Sequence, residues 1–167
     1  MSARGVHFSL DEEQASRLMD TPDLDNDALL AFVEEVEEGP NGEGWDAQWT
    51  QETDKAWDAI HRCLTDGKLE WGRSPFHDCV LGRYNLYEGD EYLMSFLEPE
   101  EVKEVATAIK DIDRAELRRR YNAIDTASYG ELSDSDFEYT WSWFPQLRDL
   151  FQRAAAAGRA MLFTVDQ

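Results

Sequence analysis

Asp54, Asp58 and His61 are the residues whose types and spacing could move a proton. A carboxylate beside an imidazole orients the ring and stabilises its charged form, as a general base requires. In the stretch TDKAWDAIHRCLTDG, residues 53–67, a helix sets Asp54 and Asp58 at the i−7 and i−3 positions from His61. At about 100° per residue, Trp57, Ile60 and Leu64 share one stripe, and His61 lies at its edge. Lys55, Ala59 and Arg62 turn the other way. The ordinary reading makes the stripe core and His61 a hydrogen-bonded rim residue. The sharper reading makes Asp58 and His61 a proton-transfer pair in a pocket wall. Spacing by itself assigns no catalytic residue. The candidate pocket comprises Asp54, Trp57, Asp58 and His61, with Trp45, Trp71 and His77 around it.

His61-x-Cys63 and His77-x-Cys79 invite a zinc reading, because together they supply two nitrogen and two sulfur ligands. Helix geometry opposes it: residues 61 and 63 point about 200° apart and cannot share a metal without unwinding. A His77–Cys79 nucleophile pair would need oxyanion donors that nothing marks. DLDND at 23–27 lacks the glycine and terminal glutamate of a calcium loop. Phosphate-binding loops, nucleophile elbows and metalloprotease helices are not found. No metal and no cofactor is expected.

These side chains need elements to position them. Thr53 is the expected N-cap of the central helix, and Gly67 its stop. Val6 and Phe8 alternate with His7 and Ser9, which predicts a strand over 5–10 with one buried face. Ser9 and Glu12 suggest a capping box for a helix to Asp20, with a break at Pro22. A second helix is expected over 25–38, with Leu29, Leu30, Phe32, Val33 and Val36 inward. Glu34, Glu35, Glu37 and Glu38 crowd its C-terminal end, where negative charge opposes the dipole. GPNGEG at 39–44 connects to Trp45 and Trp49, read as a lid over the core or a stacking surface.

Residues 68–89 are irregular and aromatic, the kind of loop that carries function. A strand is expected over 91–97, then a helix opened by Glu98-Pro99-Glu100-Glu101. Asp113 caps a further helix bearing Arg118, Arg119 and Arg120, which should pair with the chain's own acids. Residues 123–138 read as a polar connection, and FEYTWSW at 137–143 fits strand or helix. Pro145 should open a last helix ending at Gly158, before an apolar strand at 159–165 that suits the N-terminal strand.

The chain has 167 residues, enough for a real core in one domain spanning 1–167. Hydrophobic content of 42% excludes an acidic disordered chain despite a net charge of −20. Residues 1–60 hold sixteen acidic against three basic side chains, a net of −13. Such a surface repels phosphate backbones, so direct nucleic-acid binding is not expected. A basic protein partner is the chemistry it would attract. No membrane span or signal region is read, so a cytoplasmic protein with reduced Cys63 and Cys79 is expected. Oligomeric state is not readable.

Four stretches together resemble the YfbM-like family, a bacterial group of unknown function. They are DKAWDAIHRCLTDG at 54–67, FLEPEEVKEVATAI at 96–109, the helix ending RRRYN at 118–122, and FPQLRDLFQRAAAAGRAMLFTV at 144–165. The resemblance implies an α+β domain and brings no activity, cofactor or catalytic residue. The expected fold is therefore α+β. Its small mixed or antiparallel sheet includes the N- and C-terminal strands, packed by five or six helices. The expected role is a non-catalytic acidic binding or interaction protein, of inhibitor or immunity type. The alternative is a small enzyme or ligand-binding module whose cleft is lined by Asp54, Asp58, His61 and tryptophans.

Overall fold

The alternation at the N-terminus forms a strand, β1 (Gly5–Leu10), at the centre of a computed structural model that describes residues 3–21 and 23–166. The break expected at Pro22 lies outside the described residues. β1 pairs antiparallel with β2 (Thr50–Asp54) on one side and β4 (Ala160–Asp166) on the other. β3 (Tyr92–Leu97) completes the antiparallel order β2-β1-β4-β3. Gly5 faces Val165 and Leu10 faces Ala160, so the two terminal strands are full-length partners, as expected.

The helices among the described residues are α1 (Glu12–Met19), α2 (Asn26–Glu38), α3 (Trp57–Leu64) and α4 (Pro75–Asp78), then α5 (Pro99–Ile109), α6 (Arg114–Tyr121), α7 (Thr126–Tyr129) and α8 (Asp134–Ala156). Two of these eight, α4 and α7, are four-residue turns that a periodicity argument does not register. All six residues of β1 are buried, where one buried face was expected. Both faces of the sheet are covered. Val6, Phe8, Leu10, Met94 and Leu162 meet Leu29, Phe32 and Val33 of α2. Met161, Phe163, Val165 and Leu97 meet the larger cluster built from α3, α5, α6 and α8.

Three sequence expectations are corrected locally. Thr53 does not cap α3: it lies in β2, fully buried, with its hydroxyl donating to the Gly5 carbonyl. β2 is polar in sequence, TQETD, and exists because β1 offers it an edge. Ser9 does not cap α1, since it sits in β1 opposite Met161; Asp11 caps instead, in a capping box with Gln14. Pro145 does not open a helix but lies inside the 23-residue α8. Buried Phe137, Thr140, Phe144, Leu147, Phe151 and Ala154 recur at alternating spacings of three and four straight through the proline. That continuous inner stripe outweighs the lost proline N–H and settles FEYTWSW as helix.

Elsewhere Glu98 opens α5 and Asp113 caps α6 as expected, and Asp25 caps α2. The arginine triplet pairs with the chain's own acids: Arg118 with Asp134, and Arg119 and Arg120 with Glu116. Gly67 ends the α3 segment at φ +86, and a Cβ there would lie 2.7 Å from the Ala123 carbonyl oxygen. Gly67→Ala should therefore lower stability by about 2 kcal/mol, from the left-handed backbone and the clash together. Thermal unfolding checks this, and an unchanged midpoint would remove the constraint.

Candidate functional site

The sequence-named residues separate into three environments. The first is polar. Asp58 accepts from Arg62 Nε at 2.6 Å, and Asp54, at φ 44, accepts from the Tyr139 hydroxyl at 2.5 Å. Neither carboxylate hydrogen-bonds His61. Arg62 was expected to turn outward but is 5% exposed, because α6 and the α7 turn cover that side of α3. Its guanidinium also donates to Ser128 Oγ at 2.8 Å and lies over the Tyr129 ring. Tyr129 and Tyr121 both donate to Asp136 Oδ2 at 2.7 Å. Arg62 thus ties α3 to α7, and Asp136 ties α8 to α6 and α7, all by charge-assisted bonds. Burial first, and then the Asp136 bond, pushes the Tyr121 hydroxyl up to about 12.

The second environment holds the histidines. His61 is fully buried, and its Nε2 donates to the Glu70 carbonyl at 2.8 Å. A carbonyl only accepts, so the proton sits on Nε2 and Nδ1 is bare; Nδ1 has no partner. His77 comes edge-on to His61, with ring centroids 5.8 Å apart, and its Nδ1 meets Ser74 Oγ at 2.7 Å. Gly72 presses on the His77 ring, since a Cβ there would come within 2.3 Å of it. Trp71, beside Gly72, is exposed. Trp57 belongs to the core and donates its Nε1–H to the Ala3 carbonyl at 2.8 Å. Burial chiefly pulls the His61 pKa down to about 4. Burial likewise pushes the thiols of Cys63, up to about 12, and Cys79 upward, so both are inert apolar side chains.

Sequence reasoning left out His7, which lies in β1 between Phe151 and Phe163. Its Nε2 donates to the Cys79 carbonyl at 2.7 Å, and Nδ1 again has no partner. Burial pulls its pKa down to about 4.

The third environment is an acidic recess of about 360 Å³ where α2 crosses the sheet. Glu34 and Glu37 of α2 face Tyr92 of β3 and Asp166 of β4 across a floor of Val6, Val33 and Thr164. Trp45 closes one side and meets Phe8 edge-on at 6.0 Å. Its loop is pinned by the Ser9–Trp49 backbone bond and by Arg159, whose guanidinium sits 4.0 Å over the Trp49 ring. Arg4 is the one cationic lining residue, and it bonds Glu52 at 2.6 Å. The Glu37 carboxyl is held above the usual carboxylate range, by burial first and then by Glu34 and Asp166. Burial, Glu37 and Asp166 push the Tyr92 hydroxyl up to about 12. A recess with this field and an indole wall suits a cation.

The sequence matches the family described as a domain of unknown function, DUF1877, over residues 1–164. The chain belongs to the DUF1877 family. Its fold is similar to that of the protein of unknown function YfbM from Escherichia coli. That likeness has a TM-score of 0.66 at 18% identity, over 97% of this chain and 99% of the other. No curated protein matches the sequence. Family and fold agree with the YfbM-like resemblance of the four sequence stretches.

Membership in the DUF1877 family brings no site residue, so the recess rests on its own geometry. One sequence signal pointed to it: acids at 34 and 37, near the helix end where the dipole disfavours them. Tyr92 and Asp166 gave no signal, because only the β3–β4 register makes them direct partners. Among the described residues, no group of three or more His, Cys, Asp or Glu side chains lies in a metal-holding arrangement. No helix among them is long and apolar enough to cross a membrane.

Proposed function

We propose that this DUF1877 chain is a non-catalytic binding protein that engages a basic protein through the acidic face of α2. The observation that carries this reading is Glu37: on the rim of the recess, crowded by Glu34 and Asp166, and joined to no basic residue among the described residues. A lysine or arginine entering the recess would relieve that repulsion and meet the faces of Trp45 and Tyr92. α2 carries five acidic residues and no basic one. Among the described residues, Glu35 is the one of these acids that is paired, to Arg17 across an exposed contact that contributes little. An inhibitor or immunity role is the finer form of the same reading, with 1–167 acting as one unit.

A lysine-rich peptide titrated against the protein tests it. Glu34→Gln with Glu37→Gln should weaken binding about tenfold, with affinity falling steeply as salt rises. Equal binding by the variant, or binding indifferent to salt, would refute the recess as the site.

The second reading is a ligand-binding module or small enzyme around Asp54, Trp57, Asp58, His61, Trp71 and His77. The His61–His77 contact supports it. Capture of Asp58 by Arg62 and of Asp54 by Tyr139 weighs against proton transfer between either carboxylate and His61. Trp45 sits in the acidic recess instead.

A further inference from the structure

β3 is an edge strand, and its outer side is only partly covered. Asn85 Oδ1 accepts from the Met94 N–H at 2.8 Å, and its Nδ2 donates to the Tyr92 carbonyl at 2.8 Å. The Leu86 N–H donates to the Met94 carbonyl at 2.8 Å. The 85–86 segment thus imitates one short neighbouring strand and then leaves. Strand alternation turns the main chain of Phe96 to the same outer side. Neither its N–H nor its carbonyl has a hydrogen bond there among the described residues.

Two hollows of about 610 and 250 Å³ flank this open position and share Tyr84, Phe96 and Glu98. Tyr84 is 66% exposed and Met19 48% exposed, in contrast to the buried core. Asp20, Asp23 and Glu98 rim the larger hollow. Arg83, the one cation lining the pair, is held by Asp78 and Glu101. An open backbone pair, a trough that exposes Met19, Tyr84 and Phe96 among polar groups, and an acidic rim thus coincide. None of the trough's lining residues belongs to the recess between α2 and the sheet.

We propose that the β3 edge at Phe96 is a second docking site, which takes an extended segment of another protein in which apolar residues alternate with lysine or arginine. The segment adds to the sheet as a short fifth strand, trading N–H and carbonyl bonds with Phe96. Its apolar side chains cover Met19 and Tyr84, and its cations meet Asp20, Asp23 and Glu98. Charge complementarity selects this occupant. A second copy of the chain, at net −20, is repelled by the same rim. An open strand edge otherwise invites uncontrolled pairing, and the acidic rim restricts which chains approach.

The test uses the isotope-labelled full chain and a short peptide of alternating valine and lysine, followed by amide NMR. Binding should slow hydrogen exchange at the Phe96 amide at least ~10-fold, as expected for a newly bonded edge amide. A peptide with the same side chains but N-methylated backbone should lose binding. Tyr84→Ala, which removes an exposed ring and leaves the core intact, should weaken binding about tenfold. Glu34→Gln with Glu37→Gln should leave it unchanged, separating this site from the recess. The proposal is overturned by absence of binding, by equal binding of the N-methylated peptide, by unchanged exchange at Phe96 in the complex, or by a loss confined to the recess variant.

Discussion

Arg62→Ala should destabilise the protein by about 2–3 kcal/mol, less than for a fully buried ion pair because Asp58 keeps access to water. Arg62 is 5% exposed, and its Asp58 partner is partly covered. The truncation leaves the Asp58 carboxylate without its partner and empties the space over Tyr129, while the Ser128 hydroxyl keeps its bond to Asp125. A companion replacement of both partners, Asp58→Leu with Arg62→Met, should recover much of the loss, since no charge is then left alone. Urea unfolding of both variants provides the comparison. A loss under about 1 kcal/mol for Arg62→Ala would mean that the pair behaves as a surface contact. The site reading has a stake in this result. If Asp58 is a structural anchor for Arg62, it is not free to serve His61.

Acidification should be the second large effect. His7 and His61 hold their folded pKa at about 4, below the ordinary 6.5. Between those values the unfolded chain binds more protons than the folded one, so stability falls as pH drops through the window. Each histidine contributes up to about 3 kcal/mol of loss, complete near pH 4. The physical cause is visible in both rings. Nε2–H is committed to a backbone carbonyl, and bare Nδ1 faces a site without an acceptor. Carboxylate protonation acts the other way by easing the repulsion of a −20 chain, but an ordinary carboxyl group has its pKa near about 4, below this window. Between pH 7 and 5 the histidines should therefore set the slope. Urea midpoints across that range should fall, and His61→Gln should flatten the slope by about half, since it keeps a donor for Glu70. A flat profile in the parent protein would contradict the buried neutral assignment.

The parts of the fold legible in sequence are those whose cause is local. β1 and β4 followed from short alternating or apolar runs, α2 from its inward stripe, and α5 and α6 from starts at Glu98 and Asp113. The acid-crowded end of α2 was also legible, and it supplied half of the recess. β2 was not, because TQETD has no strand pattern of its own and is held by pairing with β1. The Pro145 signal misled, because a helix boundary read from one residue ignores a stripe packed along the whole of α8.

For the site residues, type and spacing put Asp54, Asp58 and His61 along one helix, whereas Asp54 ends β2 and only Asp58 and His61 lie in α3. Tertiary structure decided what each one meets: Tyr139, Arg62 and the Glu70 carbonyl. It also decided that Arg62 is covered, that His7 is held between two phenylalanines, and that Tyr92 faces Asp166. Those outcomes depend on residues distant in sequence being brought together by sheet register and helix packing. A periodicity confined to one segment carries no information about them.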